Sequence, residues 1–173
     1  VLRSLARHTA SLATDSKIVA DVEANHFTIH RNTLSDYLKV LRDLYVVEDL
    51  PAWSPKLRSK TTIRTSNKRH FSDPAFAASL LDAAPEDLLR DIETFGLLFE
   101  SLVIRDLRIY TDYIGGHVYH YRDKNGLEAD AIIHLNDGRW AAVEVKLGAH
   151  SIDSAAENLI KLSNLVDSSN KNG

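Results

Sequence analysis

The stretch ADAIIHLNDGRWAAVEVKLG, residues 129–148, decides the fold because it predicts two strands joined by a tight turn. Apolar residues alternate with others on both sides of 136–138, a three-residue loop ending in glycine, which is a favoured hairpin connection. Counting back from that loop places Asp130 opposite Glu144. A two-residue loop would shift the register by one residue and place Asp130 opposite Val145 instead. The turn therefore decides whether two carboxylates meet.

The predicted hairpin brings chemically useful side chains onto one face. Side chains alternate between faces along a strand, so Ala142, Glu144 and Lys146 share a face. Like charges directly opposite each other destabilise a sheet, and a divalent cation would offset the repulsion between Asp130 and Glu144. Mg²⁺ uses one or two carboxylates together with water and phosphate oxygens. Lys146 is then placed to orient a water or to stabilise charge on phosphorus. Ala142 and Ile132 are expected to leave the neighbouring surface uncrowded.

The composition is that of an ordinary globular protein of one or two domains. The 173 residues are 44% apolar and 26% charged, enough for a sizeable core. The chain contains no Cys, which excludes disulfides, thiolate zinc sites and Cys nucleophiles and fits a cytoplasmic location. No apolar run reaches membrane-spanning length and no signal peptide stands at the start, so no membrane partner is predicted. The absence of Met, even at position 1, predicts a piece of a longer protein.

Charge divides the chain into two halves of opposite sign, which predicts two modules with different partners. Residues 1–71 hold 12 Lys or Arg against 7 Asp or Glu, and residues 72–173 hold 9 against 17. Phosphate contacts require basic residues on one surface, which makes DNA the predicted partner of the basic half. The alternative is a solvated loop. The candidate nucleic-acid-binding residues are Lys56, Arg58, Lys60, Arg64, Lys68 and Arg69.

The first half predicts three short helices followed by a β-hairpin, which is the order of a winged helix-turn-helix. The helices cover about residues 1–12, then Asp15 or Ser16 to Ala24, then 33–44 with Asn32 or Thr33 as the cap. The outer face of the 33–44 helix is nearly neutral, which is poor for reading DNA. Strands returning over 60–65 and 68–71 complete a module that ends near residue 72.

The second half predicts helices, then three strands, then a helix. A short helix opens at Asp73 and Pro74, and a long one covers about 85–110. Strands follow at 117–122, 127–135 and 139–147, with a last helix at 152–166. Glu100 lies beside the apolar stripe of the long helix, where it needs a partner or reaches solvent at the edge. Ser101 has no obvious His partner, so a serine hydrolase is not predicted.

Glu100 on a helix, Asp130 on a strand and Glu144-Val145-Lys146 on the next strand resemble the PD-(D/E)xK nuclease superfamily. That superfamily has an acid, an Asp and Glu-x-Lys in the same order. The chain also resembles, in five ordered blocks, the C-terminal half of a bacterial and archaeal family of AAA+-type ATPases. The blocks are TLSDYLKVLRDLYVVEDLPAW, KRHFSDPAFAASLL, GLLFESLVIRDL, VYHYRDKNGLEADAIIHL and WAAVEVKLG. The resemblance implies an ATPase domain upstream, since this chain has no G-x-x-x-x-G-K-[ST] and ATP would bind only there. Related folds add a strand after the last helix, which leaves open whether the sheet is complete.

The fold expectation is an α/β chain, α+β overall. It comprises a winged helix-turn-helix in residues 1–72 and a restriction-endonuclease-like mixed sheet flanked by helices in 73–173. The resemblance implies Mg²⁺ or Mn²⁺ held by Asp130, Glu144 and the carbonyl of Val145, with Lys146 positioning the attacking water and Glu100 as an auxiliary acid. One hypothesis is therefore a metal-dependent phosphodiesterase acting on DNA in the service of the ATPase. The other is a non-catalytic module that delivers a protein or nucleic-acid partner to the ATPase.

Overall fold

The computed structural model describes residues 1–55 and 66–171, with side chains as far as residue 167. These residues form two compact units. Unit 1 holds residues 1–50 and 66–105, and unit 2 holds the described residues of 51–65 and 106–173. The boundary predicted near residue 72 falls inside unit 1 in this division and stays a prediction.

Unit 1 is built from helices and one two-stranded antiparallel ladder. In chain order it contains α1 Leu2–Arg7, α2 Asp15–Ala24, α3 Arg31–Asp43, β1 Val47–Leu50, β2 Lys68–Phe71, α4 Pro74–Leu80, α5 Pro85–Arg90 and the first part of α6 Ile92–Tyr113. Strand β1 pairs with β2 so that Val47 lies opposite Phe71. Three helices followed by a ladder is the predicted order.

The N-terminal residues of the helices show which sequence signals set where each helix begins. Thr14 caps α2, because its hydroxyl accepts a hydrogen bond from the Lys17 amide. Helix α3 begins two residues earlier than predicted, since the extended backbone of His30 already offers its carbonyl to the amide of Leu34. The Asp73 carboxylate caps α4 as predicted, with a proline at the first helical position.

The predicted helix over about 85–110 is two helices. The backbone of Asp91 leaves the helical region, at φ −112° and ψ 77°, between α5 and α6. Its carboxylate accepts hydrogen bonds from the amide and the hydroxyl of Thr94, at 3.0 and 2.7 Å. Asp91 therefore acts as an N-cap that starts a new helix where apolar periodicity alone indicated a continuous one.

The core of unit 1 forms where the inner faces of these helices meet the ladder. Ile18 and Leu34 are fully buried and pack with Val47, Phe71 and Ala77 in one cluster. Burying a large aliphatic or aromatic side chain stabilises the fold by roughly 1.5–3 kcal/mol. This cluster therefore holds the helices against the ladder.

Unit 2 contains a three-stranded antiparallel sheet, β3 Gly116–Arg122, β4 Glu128–Leu135 and β5 Trp140–Val143, in the order β3-β4-β5. A mixed sheet needs a parallel strand, and two hairpins give antiparallel neighbours only. Among the described residues, parallel pairing occurs as an isolated bridge between Ala52 and His120, outside the named strands. The α+β class is confirmed, with small antiparallel sheets.

The register of the β4–β5 hairpin is the one that the glycine-ended turn predicts. Gly138 has φ +88°, and the amide of Leu135 donates to the carbonyl of Arg139 at 2.8 Å. Ile132 lies opposite Ala142, as expected for a three-residue loop. The predicted strand 139–147 ends earlier, because ladder pairing stops at Val143.

After the sheet, a 3-10 turn at Ala149–Ser151 leads into α7 Ile152–Lys171. Its residues Leu162 and Val166 pack with Trp53 and Ile132 in the core of unit 2. Within residues 1–55 and 66–171, no helix is both long and apolar enough to cross a membrane.

Candidate functional site

The β4–β5 hairpin positions the three strand residues of the predicted site. The confirmed register, continued by one residue past the end of the ladder, sets Asp130 against Glu144. Past the end of the ladder, a side-chain hydrogen bond replaces the backbone pairing. The Oδ2 of Asp130 accepts this hydrogen bond, of 2.8 Å, from the amide of Val145. The Asp130 side chain, on β4, thus holds the Glu-x-Lys segment beside that strand.

Glu144 is the most unusual side chain of this group. Only 6% of it is exposed, and its Oε1 lies 2.8 Å from the Nζ of Lys146. Its second oxygen, Oε2, is buried and accepts no hydrogen bond from the part of the chain that the structure describes. Leaving a buried charged acceptor unsatisfied costs about 1–3 kcal/mol or more. The arrangement therefore has capacity for one more positive or donating group.

Lys146 carries a firm positive charge. Burial by itself would lower its pKa, but the hydrogen bond to Glu144 and the charges of Glu144, Asp130 and Glu128 outweigh burial and raise the pKa above its usual value of 10.5. Lys146 therefore stays protonated at neutral pH. It is suited to stabilise negative charge or to orient a water, and unsuited to act as a base.

Two carboxylates and a backbone carbonyl are a donor set that fits Mg²⁺ or Mn²⁺ when water and phosphate supply the other oxygens. The orphaned Oε2 of Glu144 is a hard, negatively charged oxygen of the kind these ions prefer. Among the described residues, no group of three or more His, Cys, Asp or Glu could hold a metal ion by itself. The fit therefore depends on Asp130, Glu144 and the carbonyl of Val145, and this ligand set stays a prediction.

The surface beside the acids is more crowded than expected. Ile132 is fully buried, and it packs with Leu162 and Val166 of α7 while Ala142 packs against the same cluster. The expectation of an uncrowded neighbourhood was wrong, because α7 covers it. Lys146 beside them remains open to solvent, with 35% of its side chain exposed.

Glu100 lies on α6 in unit 1, whereas the other three predicted site residues lie in unit 2. Its Oε1 accepts a hydrogen bond of 2.9 Å from the Nζ of Lys68, and both side chains are only 12% exposed. The structure thus gives Glu100 the partner that its apolar surroundings required. Its part as an auxiliary acid stays a prediction.

The predicted nucleic-acid-binding residues divide into two groups. Lys68 and Arg69 belong to β2, and both are engaged inside unit 1: Lys68 with Glu100, and Arg69 with Asp15 at 3.2 Å and Asp49 at 3.6 Å. Only 15% of the Arg69 side chain is exposed, which leaves little of it for phosphate. Lys56, Arg58, Lys60 and Arg64 lie outside the described residues.

Sequence reasoning missed a buried polar cluster in unit 1. Ser101, for which no His partner was apparent, lies 3.1 Å from the Nδ1 of His70 and 3.3 Å from the hydroxyl of Thr9. Its hydroxyl also donates to the carbonyl of Leu97. Ser101 is only 1% exposed, so the cluster is a structural connection and gives no accessible nucleophile. No local signal could reveal it, since its partners are far apart in the sequence.

Comparison with known families gives two matches. Residues 1–87 match the family described as Domain of unknown function (DUF8612), and the chain belongs to that family. Residues 95–172 match Domain of unknown function (DUF4143), a domain found in C-terminal regions associated with AAA-type ATPases. No curated protein and no solved structure matches the chain.

Proposed function

We propose that this chain, a member of the DUF8612 family, carries in its DUF4143 region a Mg²⁺-dependent phosphodiesterase site that acts on DNA, joined to an AAA+-type ATPase on the same polypeptide. The observation that supports this most directly is the buried Oε2 of Glu144, which has no hydrogen-bond partner among the described residues. A cation shared with Asp130 would satisfy that oxygen and offset the repulsion between two acids. The predicted cytoplasmic location fits both DNA and ATP as partners.

In this proposal Asp130, Glu144 and the carbonyl of Val145 would hold the ion, which would supply positive charge to neutralise phosphate and to lower the pKa of water. The protonated Lys146, already fixed by Glu144 at 2.8 Å, stabilises charge on the scissile phosphate or orients the water. The hydrogen bond from the Val145 amide keeps Asp130 turned toward the Glu-x-Lys segment. Each residue thus has one role that can be removed separately.

A second candidate function is favoured by the same contacts. Asp130 already accepts a hydrogen bond from Val145, and Glu144 already pairs with Lys146. An acid pair that the chain itself engages is compatible with a docking or sensing module that brings a protein or nucleic-acid partner to the ATPase. The fold alone does not decide between these functions.

Metal binding is tested first, by thermal unfolding with and without Mg²⁺. At a Mg²⁺ concentration tenfold above the dissociation constant, binding stabilises the folded state by about 1.4 kcal/mol. For a chain of this length we expect Tm to rise by about 3–6 °C. Glu144→Gln should abolish the rise, whereas Glu157→Gln, at an acid that is 73% exposed on α7, should keep it. If Mg²⁺ changes the Tm of Glu144→Gln and Glu157→Gln by the same amount, the proposed ion site is excluded.

Catalysis is tested by nicking of supercoiled plasmid in Mg²⁺ or Mn²⁺. We expect Asp130→Asn and Lys146→Ala to lose nicking, while Lys161→Ala, at a lysine that is 64% exposed on α7, retains it. Nicking that survives both site variants would come from a contaminant. DNA retarded on a gel without any nicking would favour the docking function.

A further inference from the structure

Lys146 and Glu144 form an ion pair within the proposed site, and the two side chains differ in how firmly they are held. Glu144 is only 6% exposed, whereas Lys146 is 35% exposed, and the Nζ of Lys146 lies 2.8 Å from the Oε1 of Glu144. A lysine ammonium is carried on a flexible aliphatic stem. The acid is therefore fixed by burial, while its cation can move into solvent.

The side chains around Lys146 carry more negative than positive charge. Asp130 and Glu128 stabilise its charged form in addition to Glu144. Arg122 lies beside Glu128, with its Nη1 3.3 Å from the Oε2 of that acid. In this group three acids stand against two bases, which leaves one net negative charge. Without Lys146 the group would hold two negative charges and would attract a divalent cation more strongly.

Glu144 offers a single carboxylate to two kinds of cation. Its Oε1 already pairs with Lys146, and its Oε2 is buried without a hydrogen-bond partner in the part of the chain that the structure describes. An ion held at Oε2 would share one negative charge with the ammonium, and two cations beside one carboxylate repel each other. Asp130 stays in place beside them, since the Val145 amide donates to its Oδ2 at 2.8 Å. The group that can give way is therefore the mobile ammonium of Lys146.

We propose that Lys146 exchanges partners: it pairs with Glu144 in the chain alone, and binding of Mg²⁺ at Glu144 and Asp130 releases its ammonium to a phosphate group. This inference rests on the proposed function of the ion site and adds a link between the ion and the phosphate. The neighbouring acid Glu128 already pairs with Arg122, whereas phosphate oxygens offer the released ammonium a strong charged acceptor. Because such a link is reciprocal, phosphate in turn tightens the binding of Mg²⁺ through Lys146.

Isothermal titration calorimetry of Mg²⁺ into the chain tests the first half of this exchange. Without phosphate, Lys146→Met should bind Mg²⁺ at least about tenfold more tightly than the wild type, because no ammonium competes for Glu144. Lys146→Gln, which keeps a polar end, should show the same gain and replaces the methionine variant if that one is poorly folded. The matched control is Lys161→Met, at a lysine that is 64% exposed on α7 and 3.9 Å from Glu157. This control should leave the affinity for Mg²⁺ unchanged.

Inorganic phosphate, which has no phosphodiester bond to cleave, tests the second half. The titrations are repeated in phosphate, with the heat of Mg²⁺ binding to phosphate alone subtracted. Phosphate should tighten the binding of Mg²⁺ to the wild type at least about threefold more than to Lys146→Met. Lys161→Met should respond as the wild type does. A lysine with a purely structural role would not produce this difference.

The outcomes separate this exchange from the proposed function. An affinity for Mg²⁺ that is unchanged or weaker in both Lys146 variants would overturn the exchange even if the chain nicks plasmid. An equal effect of phosphate on the wild type and on Lys146→Met would overturn it as well. If both expected effects appear without nicking, the exchange stands and the phosphodiesterase assignment fails. If Mg²⁺ binds neither the wild type nor the variants, both are overturned.

Discussion

The ion pair between Lys68 and Glu100 is expected to stabilise unit 1 substantially, and its removal can be measured. The Nζ–Oε1 distance is 2.9 Å and each side chain is 12% exposed, so both charges are largely removed from water. Removing one partner of a buried pair costs about 3–5 kcal/mol, because the remaining charge loses the opposite charge that stabilised it. At this exposure we expect Lys68→Met to cost about 3 kcal/mol.

Replacing both partners should restore most of that stability. A buried pair that is exchanged for apolar side chains of similar volume is often neutral. We therefore expect Lys68→Met combined with Glu100→Leu to lie within about 1 kcal/mol of the wild type. If Glu100→Leu alone costs as much as Lys68→Met, the double-mutant cycle should then give a coupling energy of about 5 kcal/mol.

Urea unfolding followed by far-UV circular dichroism is the assay, because Trp53 and Trp140 both lie in unit 2 and their fluorescence reports that unit. A cost below about 1 kcal/mol for Lys68→Met would refute the reasoning, since it is the value of a solvated surface pair. Glu100→Gln then separates two roles for Glu100. If nicking is lost at temperatures where this variant remains folded, Glu100 takes part in the chemistry.

Gly116→Ala should destabilise the chain by about 2 kcal/mol in urea unfolding, because the new Cβ would lie 2.7 Å from a backbone oxygen of β4, whereas Gly148→Ala, with nothing within 4 Å, should change little. His26→Gly should raise the free energy of unfolding by about 0.5–1 kcal/mol, since His26 has φ +64° at the end of α2, and a decrease in stability would contradict this. Burial alone would raise the pKa of Asp21, but hydrogen bonds and charge from Arg7 lower it below 3.8. The stability that Asp21 contributes is complete above its unfolded-state pKa of about 4 and disappears as pH falls through the lower folded-state value. The difference between wild type and Asp21→Asn should therefore shrink in acid, and a difference constant down to about pH 2 would contradict the assignment.

The sequence predicts best where a local signal fixes a contact. Gly138 occupies the left-handed position of a three-residue loop, and that single requirement sets the register of β4 against β5. The start of α4 is equally local, since Asp73 and Pro74 cap and open it. The break before α6 had a local signal too, in Asp91 three residues before Thr94, but apolar periodicity across it indicated one helix.

Contacts between distant residues could not be predicted in this way. Lys68 and Glu100 are 32 residues apart, and nothing near either residue specifies the other. The early end of β5 is a similar case, because the Asp130 carboxylate binds the Val145 amide where the ladder would otherwise continue. Periodicity identifies which face a residue occupies, whereas pairing between side chains depends on the packed structure.

Ion pairing also reduces how much of the positive charge in the first half is available to contact phosphate. In the described part of residues 1–71, five basic residues have acidic partners within 4 Å, which a count along the sequence cannot show; they are Arg3, Arg7, Arg42, Lys68 and Arg69. Phosphate contacts need basic groups that are free to release counterions. If the chain binds DNA, replacing Lys60 and Arg64 by alanine should weaken binding and lower its salt dependence, because the slope falls by about 0.9 for each phosphate that is no longer neutralised. Replacing Arg69 should instead reduce stability, because it removes the cation at 3.2 Å from Asp15 and one of the two cations beside Asp49. DNA binding that weakens equally in the Arg69 variant while the fold remains intact would place the binding surface on β2.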